Sequence, residues 1–388
     1  MKTPYQQPLK IIILSWLYSR VIKPIFFLFD EEKVHNFMMS FGTFLGNSKI
    51  AKKILSKFLV FHNKTLEQNI GGINFKNPIG LAAGFDKNGV LVNLLQSVGF
   101  GFAEIGSITA QACTGNPGKR LWRLKKLKSL VVNLGLNGQG VDRVLGNIKN
   151  KKSSLPIGLS LAATNCQANA ETQEAINDFK ISYEKIMTTQ LGDYLTINLS
   201  CPNAFGGESF LKPQRLEKLM FALFGERTKT QENNNNNNNF KKPIFLKLSA
   251  QIDEDDLRGI IKIAEDYNLT GFICSNLLKN REGLKNGSSA IPEVGGLSGK
   301  PLAKLSTELI ARIYKLAGKK FIIIGCGGIF SGQDAYEKIR AGASLLQMIT
   351  GMIYQGPQVV SQINRELAYL IKKDGYKSVS EAIGVDSN

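Results

Sequence analysis

From about residue 70 the chain settles into a rhythm in which short, β-rich apolar runs each give way to a longer stretch with helical spacing. The runs cover residues 77–84, 102–108, 156–162, 194–200, 243–249, 271–276, 321–328 and 345–350, which makes eight. Near-continuous apolar runs suit parallel strands buried on both faces. Eight βα units of this size predict an α/β fold closed into a (β/α)8 TIM barrel, since doubly wound sheets usually stop near about five or six strands. In such barrels reactive groups sit where the strands end.

Upstream of this rhythm, residues 1–62 read as two or three short helices. Trp16, Leu17, Ile25, Phe26, Phe27, Leu28 and Phe29 alternate there with basic positions such as Lys10, Arg20, Lys23, Lys49, Lys52, Lys53 and Lys57. Apolar bulk with lysine flanks suits a helix lying in a lipid interface. It equally suits an amphipathic hairpin packed on its own barrel. The expected organisation is a small helical extension over 1–62, for membrane docking, and a barrel over 63–388. A polar loop at 228–242 holds asparagine at every position from Asn233 to Asn239; it has no face to bury and is expected to be disordered.

Arg20 and Lys23 interrupt the apolar run that begins at Ile11, which argues against both a signal peptide and a spanning helix. At 43% hydrophobic and 21% charged residues the composition is that of a soluble globular protein, and the net charge of +18 implies attraction to something anionic. Charge alone does not choose between nucleic acid, lipid and small anions. The five cysteines, Cys113, Cys166, Cys201, Cys274 and Cys326, show neither CxxC nor zinc-like spacing and predict a reducing compartment. Both histidines, His35 and His62, precede the barrel, so a zinc centre or a Ser-His-Asp triad is not expected in it.

The ends of the runs carry the candidate chemistry. The first closes in Ala82-Ala83-Gly84-Phe85-Asp86-Lys87-Asn88-Gly89, where small residues admit a flat ring and Lys87 offers a cation, although such clusters are often plain turns. The fourth closes in Asn198-Leu199-Ser200-Cys201-Pro202-Asn203, two amides flanking a thiol. Lys247, inside the apolar fifth run, must reach the lumen and an anionic partner, or snorkel at the strand end. The glycines of Gly325-Cys326-Gly327-Gly328 and Ile349-Thr350-Gly351, with Gly295-Gly296-Leu297-Ser298-Gly299 before the seventh run, suit a phosphate cradle.

Taken together and in order, AAGFDKNG, NLSCPN, FLKLS, GGLSGKPL and GCGGI resemble the dihydroorotate dehydrogenase family from about Gly71 to Leu370. The resemblance implies oxidation of dihydroorotate to orotate in pyrimidine synthesis, with FMN taking hydride from C6 while a base removes a proton from C5. Cys201 falls where the family keeps that base. Lys87, Asn133, Asn198, Asn203 and Asn276 fall at or beside substrate-binding positions. Ala83, Gly84, Ser107, Ser160, Asn198, Lys247, Ser275, Gly299, Gly328, Ile349 and Thr350 fall at FMN-binding positions.

Two class signatures are mixed. The extension and GGLSGKPL resemble the membrane-bound, quinone-using class, whereas a cysteine base resembles the soluble class that uses fumarate or a nicotinamide. The extension favours quinone, so the expected partners are dihydroorotate, a membrane quinone and a lipid surface rather than nucleic acid. A peripheral position on the cytoplasmic face of the inner membrane is the corresponding location. A soluble enzyme using fumarate or NAD, and a non-enzymatic binding module, are the alternatives. Three stretches depart from the family pattern. Asn133 is displaced by one position in Val132-Asn133-Leu134-Gly135-Leu136-Asn137, Ala162-Ala163-Thr164-Asn165 replaces a lysine-containing loop, and Ser160 stands where asparagine is common. Beyond Asn203, Ala204-Phe205-Gly206-Gly207-Glu208 departs from the quinone class.

Overall fold

A computed structural model describes residues 5–151, 153–200, 210–225, 242–285 and 290–387. Cys201, Asn203 and most of the asparagine-rich loop lie outside the described residues.

Eight parallel strands close into a barrel: β1 (Ile79–Leu81), β2 (Phe102–Ile108), β3 (Ile157–Leu161), β4 (Tyr194–Asn198), β5 (Ile244–Leu248), β6 (Gly271–Cys274), β7 (Ile322–Cys326) and β8 (Leu345–Met348). Each pairs with the next in sequence, and β8 returns to β1 through Leu346↔Ile79. Helices such as Ala303–Ala317 and Val359–Lys373 cover the outside, burying Leu309, Ile310, Ile313, Ile363 and Leu367. The eight apolar runs are these strands, because each is buried between the helices and the lumen.

Two-residue alternation fills the lumen in layers. Phe102, Tyr194 and Phe245 form an aromatic layer at the N-terminal end, sealed from below by Phe75 of the antiparallel pair Gln68–Ile70 and Ile73–Phe75. Two residues further along these strands, Glu104, Thr196 and Lys247 form a polar layer with Gln347, and all are buried. The C-terminal mouth is roofed on one side by a three-stranded antiparallel sheet of Leu121–Leu124, Ser129–Val132 and Gly296–Leu297.

The chain before the barrel forms α1 (Leu9–Leu17), continued by a π-helical turn over Tyr18–Ile22 and a short turn over Lys23–Phe26, then α2 (Glu31–Asn47) and α3 (Lys49–Leu59). Asp30 caps α2 by accepting from the N–H groups of Glu32 and Lys33, and Ser48 caps α3 through Ala51. The acidic first turn of α2 meets the roof: Glu32 pairs with Arg120, and Glu31 lies 3.2 Å from Lys119 and 3.9 Å from Arg123. The start of the chain is tied to its end, since Gln7 donates to Gln362 and Glu366, and the Tyr18 hydroxyl donates to the Ile353 carbonyl at 2.6 Å.

The outward faces of these helices are apolar. Leu9, Ile12, Ile13 and Trp16 on α1, Phe37, Phe41 and Phe44 on α2, and Ile50, Ile54 and Phe58 on α3 are all exposed at helical spacing, with Phe44 at 70% and Ile50 at 75%. The inner side of the extension packs on the barrel, and its outer side presents these exposed residues. No helix among the described residues is long and apolar enough to cross a membrane.

Candidate active site

One cleft opens at the C-terminal mouth and runs up to α2, enclosing about 1340 Å³ including its mouth.

The β1 end supplies Ala83, Gly84 and Lys87 to its wall. The loop that carries Lys87 is latched by Asp86, whose carboxylate accepts from Val90 N at 3.0 Å and Leu91 N at 2.8 Å. Gly84 has φ +107, and a Cβ built there would meet nothing within 4 Å, so this backbone lies open to the cleft. The Lys87 ammonium has no hydrogen-bond acceptor among the described residues. Burial lowers its pKa to about 8, with Glu32 pulling the other way. A desolvated cation facing a cleft calls for an anionic ligand.

Amides and hydroxyls are ordered across the floor. Ser160 Oγ lies 3.1 Å from Ser107 Oγ, which accepts from Asn198 Nδ2 at 2.9 Å. Asn198 Oδ1 in turn accepts from Asn276 Nδ2 at 3.0 Å, and the same amide reaches the Ser200 carbonyl. Ser107, Asn198, Lys247, Ser275 and Asn276 line the cleft, while Ser160 sits behind Ser107 and acts on the cleft through it.

At the other end, Gly299, Gly328, Ile349 and Thr350 form a glycine-rich corner, and Ser298 Oγ lies 2.7 Å from Thr350 Oγ1. The N–H groups of Gly327 and Gly328 have no acceptor among the described residues. Such donors fit a phosphate. Gly328 has φ +75, and a Cβ there would come within 2.3 Å of the Ala303 Cα. Gly328→Ala is therefore expected to push the end of β7 away from the helix that begins at Ala303 at ~1–3 kcal/mol, weakening flavin binding by roughly 5- to 150-fold. Fluorescence titration with free flavin measures this; unchanged affinity would count against the cradle.

Other residues are placed differently from the sequence expectation. Asn133 is turned away from the cleft, its Oδ1 accepting from Asn116 at 2.8 Å, because strand alternation gives the cleft Val132 and Leu134 on either side of it. Asn165 supports the same segment, donating to Gly135 O and Asn116 Oδ1. Asn137 lines the cleft with a buried Oδ1 that has no hydrogen-bond partner among the described residues, and no local signal in the sequence marks it. Glu104 is unmarked as well, although its Oε1 lies 3.7 Å from Lys247 Nζ. The extension also contributes, since Glu32 and His35 line the upper cleft and the His35 ring meets Phe85 edge-on at 5.1 Å. Burial, aided by the Lys87 charge and opposed by Glu32, pushes His35 down to about 4, which leaves it neutral near pH 7.

Residues 65–371 match the sequence profile described as dihydroorotate dehydrogenase. The chain belongs to the dihydroorotate dehydrogenase family. Similar proteins include a dihydroorotate dehydrogenase (quinone) of Trichodesmium erythraeum, 36% identical over 388 residues and spanning 95% of this chain and 98% of that one. Another of the same name, from Christiangramia forsetii, is 37% identical over 355 residues, spanning 90% and 98%. The crystal structure of the Eimeria tenella enzyme in complex with ferulenol superposes with a TM-score of 0.78 at 30% identity, covering 92% of this chain and 96% of that one. Like other dihydroorotate dehydrogenases, the chain is a flavin-dependent oxidoreductase built on a (β/α)8 barrel.

Proposed function

We propose that this dihydroorotate dehydrogenase oxidises dihydroorotate to orotate for pyrimidine synthesis, using FMN as its flavin and a membrane quinone as the electron acceptor. The observation that carries the reading is Lys87, a half-buried cation without an acceptor among the described residues, in a cleft that also holds amide side chains at Asn198 and Asn276. When bound, FMN supplies a two-electron acceptor that can later return both electrons to the quinone.

The chain's own residues divide the remaining work. Lys87 binds the substrate carboxylate, and Asn198 and Asn276 orient its polar edge. Cys201 takes the proton from C5 as a thiolate. Gly299, Gly328 and Thr350 hold the phosphate, and Lys247 offsets negative charge that accumulates on the ring. The upper cleft, lined by Phe85, Leu121, Leu130, Val132 and Ile353, is an apolar path toward the extension and suits a quinone.

The exposed stripes on α1, α2 and α3 dock on a bilayer surface, with the flanking lysines drawn to anionic headgroups; the cytoplasmic leaflet is the one that carries such a charge. Purified protein should be yellow and should turn over dihydroorotate with short-chain quinones. Activity with fumarate or NAD, and none with quinones, would overturn the acceptor. Replacing exposed Leu28, Phe44 and Ile50 together by serine should abolish vesicle binding while leaving short-chain quinone turnover within about twofold, since surface changes rarely exceed ~0.5 kcal/mol. Retained vesicle binding would refute the docking face.

A further inference from the structure

The polar layer below the cleft contains a carboxylate that none of the roles above uses. Glu104 is fully buried in the lumen, and its Oε2 accepts from Gln347 Nε2 at 2.9 Å, Thr196 Oγ1 at 3.1 Å and the Tyr194 hydroxyl at 3.4 Å. Three donors on one oxygen fix the direction of the carboxylate. Burial, and then the Glu104 charge, push the Tyr194 hydroxyl well above its usual value, so it stays protonated and remains a donor.

The second oxygen is different. Oε1 has no hydrogen-bond partner among the described residues and points to Lys247 Nζ at 3.7 Å. The Lys247 ammonium has no hydrogen-bond acceptor among the described residues, and the residue lines the cleft and is 5% exposed. Its ammonium thus stands between a fixed anion below and the cofactor site above. At this depth a unit charge is felt far more strongly than at the surface.

We propose that Glu104 is the counter-ion that divides the charge of Lys247 between the barrel floor and the flavin, and so sets the flavin's reduction potential. The proposal rests on the flavin reading of the cleft. A lone lysine under the ring would favour the electron-rich, reduced cofactor without restraint. With Glu104 in place the floor is close to neutral, the oxidised form is favoured more, and electrons leave for the acceptor more easily. Glu104 acts through Lys247 and is a positioning residue.

Glu104→Gln keeps the shape and one accepting oxygen for Gln347, Thr196 and Tyr194, and removes the charge. In flavin-loaded protein the equilibrium constant for two-electron reduction is expected to rise tenfold or more, a shift of about +30 mV, read by spectroelectrochemical titration. An unchanged potential in a fully flavinated variant overturns the proposal. A second measurement needs no flavin. Lys247→Met strands Glu104 without its counter-charge and should unfold at a lower temperature than the Lys247→Met/Glu104→Gln double variant. Additive losses from the two substitutions would also overturn the proposal. A wild-type protein that binds no flavin would instead refute the function above, and the melting comparison would still decide the ion pair.

Discussion

Replacing Cys201 by alanine is expected to lower kcat by about 10²- to 10⁴-fold, the usual worth of a positioned general base. The flavin should stay bound, because the cradle at Gly299, Gly328 and Thr350 and the lysine at 247 are untouched. The clean readout is rapid mixing of oxidised enzyme with dihydroorotate, in which the bleaching of the flavin reports the substrate-oxidising half-reaction alone. A free thiol has a pKa of about 8.5, so bleaching in the parent protein should quicken from about pH 6 to pH 9 as the thiolate forms. A profile that stays flat over that span, or an alanine variant that bleaches at the parent rate, would remove Cys201 from the mechanism. Serine at 201 should fall between the two, since its hydroxyl ionises far less readily.

Lys87→Met should cost about 3 kcal/mol in kcat/KM, roughly 150-fold, by leaving a substrate carboxylate without its counter-charge. Most of the loss should appear as a higher KM, with flavin content unchanged. The pH dependence supplies an independent mark. Burial disfavours the charged ammonium and brings its pKa down to about 8 in the free protein, so the lysine is protonated below that pH and neutral above it. Binding of an anionic substrate therefore weakens as the pH rises through about 8, and kcat/KM acquires a falling alkaline limb there. A bound carboxylate holds the proton on Lys87, so kcat should lack this limb. Steady-state profiles of both parameters test the assignment; an alkaline limb in kcat/KM that survives in Lys87→Met would assign it to another group.

The barrel was legible because every strand is covered on both faces and so reads as an unbroken apolar run. Several runs overshot the strands, as residues 77–84 did for Ile79–Leu81, since the small residues beyond the strand end line the cleft. The roof was not legible. Its strands Leu121–Leu124 and Ser129–Val132 are short and flank a lysine-rich turn, and their third partner, Gly296–Leu297, is remote in sequence. Lys247 was recognised as a lumen lysine in want of an anion, yet Glu104 went unseen because nothing local in an apolar run reveals which distant residue shares its layer. Asn133 shows the sharpest limit. A shift of one position turns a strand residue to the opposite face, and here it exchanges an amide at the cleft for Val132 and Leu134.

The ties between the extension and the far end of the chain bear on how the protein is made. Gln7 and Ser15 meet Gln358, Gln362 and Glu366, and Tyr18 meets Ile353, so the helices that carry the apolar outer face leave the ribosome long before their seat exists. Barrel closure waits on the same late segment, because β1 finds its second neighbour only in β8. Pairings this distant form slowly, and sticky surface stays uncovered in the meantime. During synthesis the inward face of the nascent extension therefore waits for its seat, and a chaperone or the bilayer itself would have to shield Ile11, Leu14 and Leu55 until translation has passed Glu366.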